Sequence, residues 1–175
     1  MRTLVTGFGP FGTVSDNPSQ RLAENCGRPF EILEVSYEAS DAFLGRLNPE
    51  GFDTLLMLGV AQGRELPTPE LYARNSRGGT PDVRGQSTVG PIEPGQPLLL
   101  ESTLWNAHLL ADIEVSLGLH TSFDAGNYLC NYTSYRALLR FPEKKVGFFH
   151  VPPFEKLAQE RQAEILTSVL QKIEA

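Results

Sequence analysis

Two side chains in this chain have both the type and the setting for nucleophilic chemistry, Cys130 and His150. Cys130 lies in Asp124-Ala125-Gly126-Asn127-Tyr128-Leu129-Cys130-Asn131-Tyr132, a turn of small residues leading into a helical pattern with Tyr135, Leu138 and Leu139. This places the sulfur at or near a helix N-terminus, where the positive end of the helix dipole and unpaired amides lower a thiol pKa and bind an oxyanion. The competing reading is a buried, inert thiol, since free cysteine is among the most buried residue types. His150, in Gly147-Phe148-Phe149-His150-Val151-Pro152-Pro153, ends an apolar strand just before a Pro-Pro loop, at a sheet edge where catalytic residues gather; its competing reading is a core histidine satisfied by backbone. His108, on a helix face, and His120, at the start of a weak strand, read as structural.

A thiol hydrolase also needs a base that takes the thiol proton and returns it to the leaving amine, and a third group that holds the imidazole. The long segment after the third strand offers Glu65, Glu70 and Asp82, and spacing does not choose among them. A different chemistry is suggested by Gly7-Phe8-Gly9-Pro10-Phe11-Gly12, which matches GxGxxG after a strand. In a dinucleotide fold, however, the helix opens within the glycine motif. Here the helix start signal is Asn17-Pro18, beyond the motif, and Pro10 removes an amide donor. Phe8 and Phe11 read instead as an apolar wall beside the C-terminal edge of the first strand, where open α/β sheets bind ligands.

The elements that must position these residues alternate in type. Thr3–Thr6, Glu31–Tyr37, Thr54–Val60 and Lys145–Val151 read as strands, and Leu119–Phe123 as a weaker one. Thr54–Val60 is continuously apolar, as a strand buried on both faces should be. Helices are expected from Asn17-Pro18, over Ser102–Leu117 with Leu104, Ala107, His108, Ala111 and Val115 in step, and over Phe154–Ile173 with Leu157, Arg161, Ile165 and Val169 on one side. Such alternation predicts one α/β domain over residues 1–175, a three-layer α/β/α sandwich around a mainly parallel, twisted sheet. Residues 61–97, rich in Gly and Pro, break the rhythm, and a loop of that length inside a domain is usually functional.

The 175-residue length suits one domain that buries roughly 70% of the surface of its unfolded chain. A net charge of -6 without any Lys/Arg run argues against nucleic acid, and the apolar stretches are too short to span a bilayer. Two cysteines and no CxxC or HxxxH spacing exclude a disulfide framework and argue against zinc. The N-terminal residues start a strand rather than a signal peptide, so a reducing cytoplasm with both thiols free is expected.

Taken together, three blocks resemble the pyroglutamyl peptidase I (pyrrolidone-carboxylate peptidase) family: Gly7-Phe8-x-Pro10-Phe11-Gly12 with Asn17-Pro18, Ala125-Gly126-x-Tyr128-x-Cys130-Asn131 with Tyr135, and Gly147-Phe148-x-His150-Val151-Pro152. The resemblance spans nearly the whole chain. It implies an α/β/α fold, a Cys-His-Glu triad that removes N-terminal pyroglutamate from peptides, no cofactor or metal, and a cytoplasmic homo-oligomer, dimer or tetramer. By position it implies Cys130 as nucleophile, His150 as base and Glu70 as the acid, the latter through Gly63-Arg64 followed by Thr68-Pro69-Glu70. It implies Phe8 and Phe11 on one wall of the pyroglutamyl pocket, Tyr128 and Leu129 on the other, and Asn17 nearby. The chain departs from the family at Val60, where a glutamine is usual (Gln62 follows two residues on), at Leu71 in place of arginine, and in Gly79-Thr80-Pro81-Asp82-Val83. These departures touch recognition rather than the thiol. They leave open a related thiol hydrolase acting on another small acyl or amide group, or a non-catalytic binding protein on the same fold.

Overall fold

The centre of the molecule is Thr54–Val60, whose first six residues are all buried because sheet continues on both of its edges and helices cover both of its faces. The computed structural model describes residues 1–175. In chain order the elements are β1 (Thr3–Phe8), α1 (Pro18–Glu24), β2 (Phe30–Leu33), α2 (Tyr37–Arg46), β3 (Thr54–Val60), β4 (Thr68–Glu70), β5 (Tyr72–Arg74), β6 (Arg77–Gly78), β7 (Val89–Gly90), β8 (Leu99–Glu101), α3 (Ala107–Leu117), α4 (Leu129–Arg140), β9 (Lys145–Val151) and α5 (Gln159–Glu174). The main sheet has the order β2-β1-β3-β9-β4, parallel except for β4, which adds antiparallel to β9. Helices α2 and α4 pack over one face around Phe43, Met57, Tyr135 and Phe148, while α1, α3 and α5 cover the other around Leu56, Leu58, Ile113, Phe149 and Val169. The expected three-layer α/β/α arrangement with a mainly parallel sheet is what the chain forms.

At its C-terminal edge this sheet forks. Register between β1 and β3 ends at Thr6↔Met57, whereas β1 stays with β2 as far as Phe8↔Leu33 and β3 stays with β9 as far as Val60↔Val151. Beyond the fork, the Phe8 amide donates to Ser19 Oγ at 3.0 Å instead of to a neighbouring strand. The crevice so opened lies where a chain reverses its direction of travel across the sheet, the usual ligand position in open α/β folds.

Several expected boundaries move, each for a local reason. The second strand ends at Leu33 rather than Tyr37, because Ser36 accepts from the Ala39 amide and starts α2, a helix that no sequence pattern announced. The helix expected from Ser102 begins at Ala107, capped by Asn106. Ser102 instead accepts from the amides of Leu104 and Trp105, driving both side chains into the core. The buried face of α3 is Leu109 and Ile113, and Val115 stands 87% exposed. The last helix starts at Gln159, after turns that follow Pro152-Pro153, and Arg161 lies outside its buried stripe. Leu119–Phe123 forms no strand, only a single bridge from Ser122 to Glu70. The segment 61–97 is not an unstructured loop: it holds β4 through β7, pieces too short to show any period.

Candidate active site

Cys130 is the second residue of α4. The turn before it is made by Gly126, at φ +81, whose amide is held by Asp124 Oδ1 at 2.9 Å. Tyr128 sits extended at the N-cap without a side-chain cap bond, so the first-turn amides of α4 are left for a ligand. The sulfur rests on the backbone of β3 at Gly59: a Cβ there would lie 2.8 Å from Cys130 Sγ and 2.7 Å from Phe148 Cζ. Gly59 is in register with His150 on β9, which brings the thiol and the imidazole close enough for the charge of one to act on the other.

His150 is 5% exposed, and its Nδ1 lies 2.7 Å from Glu70 Oε1. This meeting follows from β4 adding to β9, with Thr68↔His150 and Glu70↔Phe148 in register. With Nδ1 engaged, Nε2 is the nitrogen left to face the thiol. Burial pushes the His150 pKa down, but the charge and hydrogen bond of Cys130 and those of Glu70 outweigh it and raise it to about 9. An imidazolium paired with a thiolate, and oriented by a carboxylate, is the constellation that nucleophilic thiol chemistry requires.

The other candidate carboxylates are occupied elsewhere. Glu65 is exposed and pairs with Lys156 at 2.7 Å. Asp82 is buried, yet it accepts the amides of Tyr37, Arg84 and Gln86 at 3.0, 2.9 and 2.9 Å, which staples its loop to the start of α2. Burial alone would raise its pKa; those three amides bring it below the ordinary carboxylate value.

The residues expected around a ligand fall into two groups. Phe11 and Tyr128 are partly exposed, and the Tyr128 hydroxyl donates to Pro81 O at 3.0 Å. Phe8 and Leu129 are buried in the core beneath them, 4% and 1% exposed. Asn17 is also buried: its side-chain oxygen caps α1 by accepting from the Ser19 amide and hydroxyl, and its side-chain nitrogen donates to Gly9 O at 2.9 Å. Its part is to hold the turn that carries Phe8 and Phe11. Val60 and Gln62 border an open cleft of about 530 Å³ with Asp16 and Phe154, beside the fork, whereas Leu71 packs against the core on the opposite face from Cys130.

Two further residues of the site stand within the family-like blocks of the sequence, but nothing there assigns them a role. Asn131, next to the cysteine, accepts from the Arg74 amide at 2.7 Å and donates to Arg74 O and Ser76 O, binding β5 to α4. Arg64 donates to Glu70 Oε1 at 3.1 Å and to Ser122 Oγ at 2.8 Å. These are long-range polar contacts, and no local period marks them. No group of three or more His, Cys, Asp or Glu is placed to hold a metal ion, and no helix is long and apolar enough to cross a membrane.

Comparison with known proteins defines the class first: a cysteine peptidase on a mainly parallel α/β/α sheet. The chain belongs to the pyroglutamyl peptidase family, whose model matches residues 1–173. It is 34% identical to a pyrrolidone-carboxylate peptidase of Halalkalibacterium halodurans, over 91% of this chain and 88% of that one. Against its counterpart in Streptococcus suis the identity is 31%, over 87% and 78%. The crystal structure of pyrrolidone carboxyl peptidase from Thermus thermophilus superposes with a TM-score of 0.81 at 36% identity, covering 98% of both chains. That from Thermococcus litoralis, at 24% identity, shares the fold with a TM-score of 0.88 over 99% of this chain and 93% of the other.

Proposed function

We propose that this chain is a cysteine exopeptidase that removes N-terminal pyroglutamate from peptides, with Cys130 as nucleophile, His150 as general base and acid, and Glu70 as the group that orients the imidazole. The observation that carries this reading is the 2.7 Å bond from Glu70 to a buried His150 lying beside a thiol at an uncapped helix start.

The reaction then runs in two halves. The pyroglutamyl ring enters the fork between β1 and β3, against Phe11 and Tyr128 over a floor of Phe8 and Leu129. Cys130 thiolate adds to the carbonyl carbon that joins the ring to the next residue, and the carbonyl π electrons move to oxygen. Amides at the start of α4 bind that oxyanion; each such donor contributes roughly 3 kcal/mol in well-studied hydrolases. The tetrahedral adduct collapses to a thioester as the C–N bond breaks and His150 imidazolium protonates the departing amine. Neutral His150 next takes a proton from water, hydroxide adds to the thioester, and the sulfur leaves as thiolate beside a restored imidazolium.

Residues 1–175 act as one hydrolase domain on this reading. Its setting is the cytoplasm, supported by the two unpaired cysteines, Cys26 and Cys130. Its working form is a homo-oligomer, supported by exposed Val89, Leu98, Leu99 and Phe123, apolar surface of the kind that interfaces cover. Sedimentation of the purified protein tests this, and a monomer at micromolar concentration would refute it.

Cys130→Ala should lower hydrolysis of a pyroglutamyl anilide by about 10³-fold or more while leaving circular dichroism unchanged. Parent activity in that variant would sink the mechanism. Val60, apolar at the mouth of the cleft, favours a second reading, a thiol hydrolase for another small acyl group. A panel of acetyl, prolyl and pyroglutamyl anilides decides between them by the ratio of kcat/KM.

A further inference from the structure

We infer that Arg64 is a positioning residue for this reaction, clamping the Glu70 carboxylate against His150 and tying it to the turn that enters the Cys130 helix. The inference rests on the Cys130–His150–Glu70 reading and extends it. Glu70 is 3% exposed, and only one of its oxygens is engaged: Oε1 meets both His150 Nδ1 at 2.7 Å and Arg64 Nη2 at 3.1 Å, while Oε2 is buried without a partner. A carboxylate held by the imidazole alone could rotate and offer either oxygen. A second cation on the same oxygen removes that freedom and leaves Oε1 aimed at the ring.

The other contacts of Arg64 point the same way. Its Nη2 also donates to Ser122 Oγ at 2.8 Å, and Ser122 is joined to the β4 strand by backbone bonds, Leu71 N to Ser122 O at 2.8 Å and Ser122 N to Pro69 O at 2.9 Å. Two residues on, Asp124 opens the turn into α4. The Arg64 amide itself donates to Ala61 O at 3.0 Å, anchoring the arginine just beyond the strand on which the sulfur rests. One residue, through its backbone amide and its side chain, thus links the end of the strand that seats the thiol, the strand of the acid and the approach to the nucleophile. An ordinary surface pair would do none of this; here the arginine is partly exposed, but the Glu70 side chain it meets is buried.

The test is a double-mutant cycle on pyroglutamyl anilide hydrolysis, with rates normalised to the cysteine alkylated by iodoacetamide. Arg64→Met is expected to lower kcat by about tenfold with KM changed less than about twofold, because the Arg64 guanidinium bonds to Glu70, Ser122 and Asp124 O rather than to a residue placed against the ligand. Arg64→Lys, which keeps charge but not the planar fork, should recover part of that loss. In a Glu70→Ala background, Arg64→Met should cost less than about a further twofold, since its effect passes through the missing carboxylate. Losses that multiply, a loss expressed in KM, or equal losses for Met and Lys would overturn the role of Arg64 and leave the triad standing. Parent activity in Glu70→Ala alone would overturn the triad and this inference with it. If the methionine variant does not fold, Arg64→Lys runs through the same cycle.

Discussion

The strands that carry the thiol site and the ribbon segment beside them are built in opposite ways. At the C-terminal edge of β3 and β9, position follows from buried backbone register: Gly59 faces His150, and the sulfur packs on the glycine. Between β5 and β8 there is little apolar packing, and the chain is held by single polar side chains, Asn131, Asp82 and Asn75, each satisfying several backbone groups. The contrast separates two tasks. Chemistry needs reacting atoms held within fractions of an ångström, which a packed sheet supplies. A wall around a ligand needs shape, which polar staples can hold and sequence changes can alter without disturbing the reaction.

If that division is right, the largest effects should come from the sheet edge. Gly59→Ala puts a methyl group 2.8 Å from the Cys130 sulfur, between it and the Phe148 ring. Activity should fall about 100-fold or more, because a displacement of about 1 Å is enough to cost that much; stopped-flow acylation against a melting curve measures both. Next is pH. On the proposed mechanism His150 is the acid for the leaving amine, and its pKa is raised to about 9, so kcat/KM should decline about tenfold per pH unit above that value. The same shift affects stability: a raised folded pKa stabilises fully below the ordinary 6.5 and loses that contribution as pH rises through about 9, which urea midpoints across this window would show.

The ribbon segment should answer differently. Asn131→Ala removes three bonds to β5 and its neighbour, and stability should drop by about 2–3 kcal/mol. Its effect on rate should appear more in KM than in kcat; a pure kcat loss would break the comparison. Smallest is Tyr128→Phe, which loses one partly exposed bond to Pro81 O. Stability should change by about 1 kcal/mol or less, and KM by about threefold or less.

The legible parts of the fold were those with strong local periods or caps. The bounds of β3 and β9 could be read from unbroken apolar runs, and the start of α1 from Asn17-Pro18. Helix α2 was not legible, because its buried face is only Ser40, Phe43 and Leu44 in a short, polar segment. Nor were β4 to β8, whose two- and three-residue strands owe their existence to partners far away in the chain. Of the residues expected at the site, Cys130, His150 and Glu70 come together in space. Phe8, Asn17 and Leu129 are buried supports beneath Phe11 and Tyr128.

By itself the sequence determined that Cys130 follows a turn and opens a helix and that His150 ends a buried strand, because both settings are encoded in a few adjacent residues. Without the family resemblance it left Glu65, Glu70 and Asp82 equal. Tertiary structure separates them by contact: β4 pairs antiparallel with β9 and brings Glu70 to the imidazole, while Asp82 is consumed by three backbone amides. It also decided that Arg64 reaches Glu70 and that Val60 and Gln62 border one cleft. Pairing between distant segments depends on the closure of the whole sheet, and no local spacing carries that information.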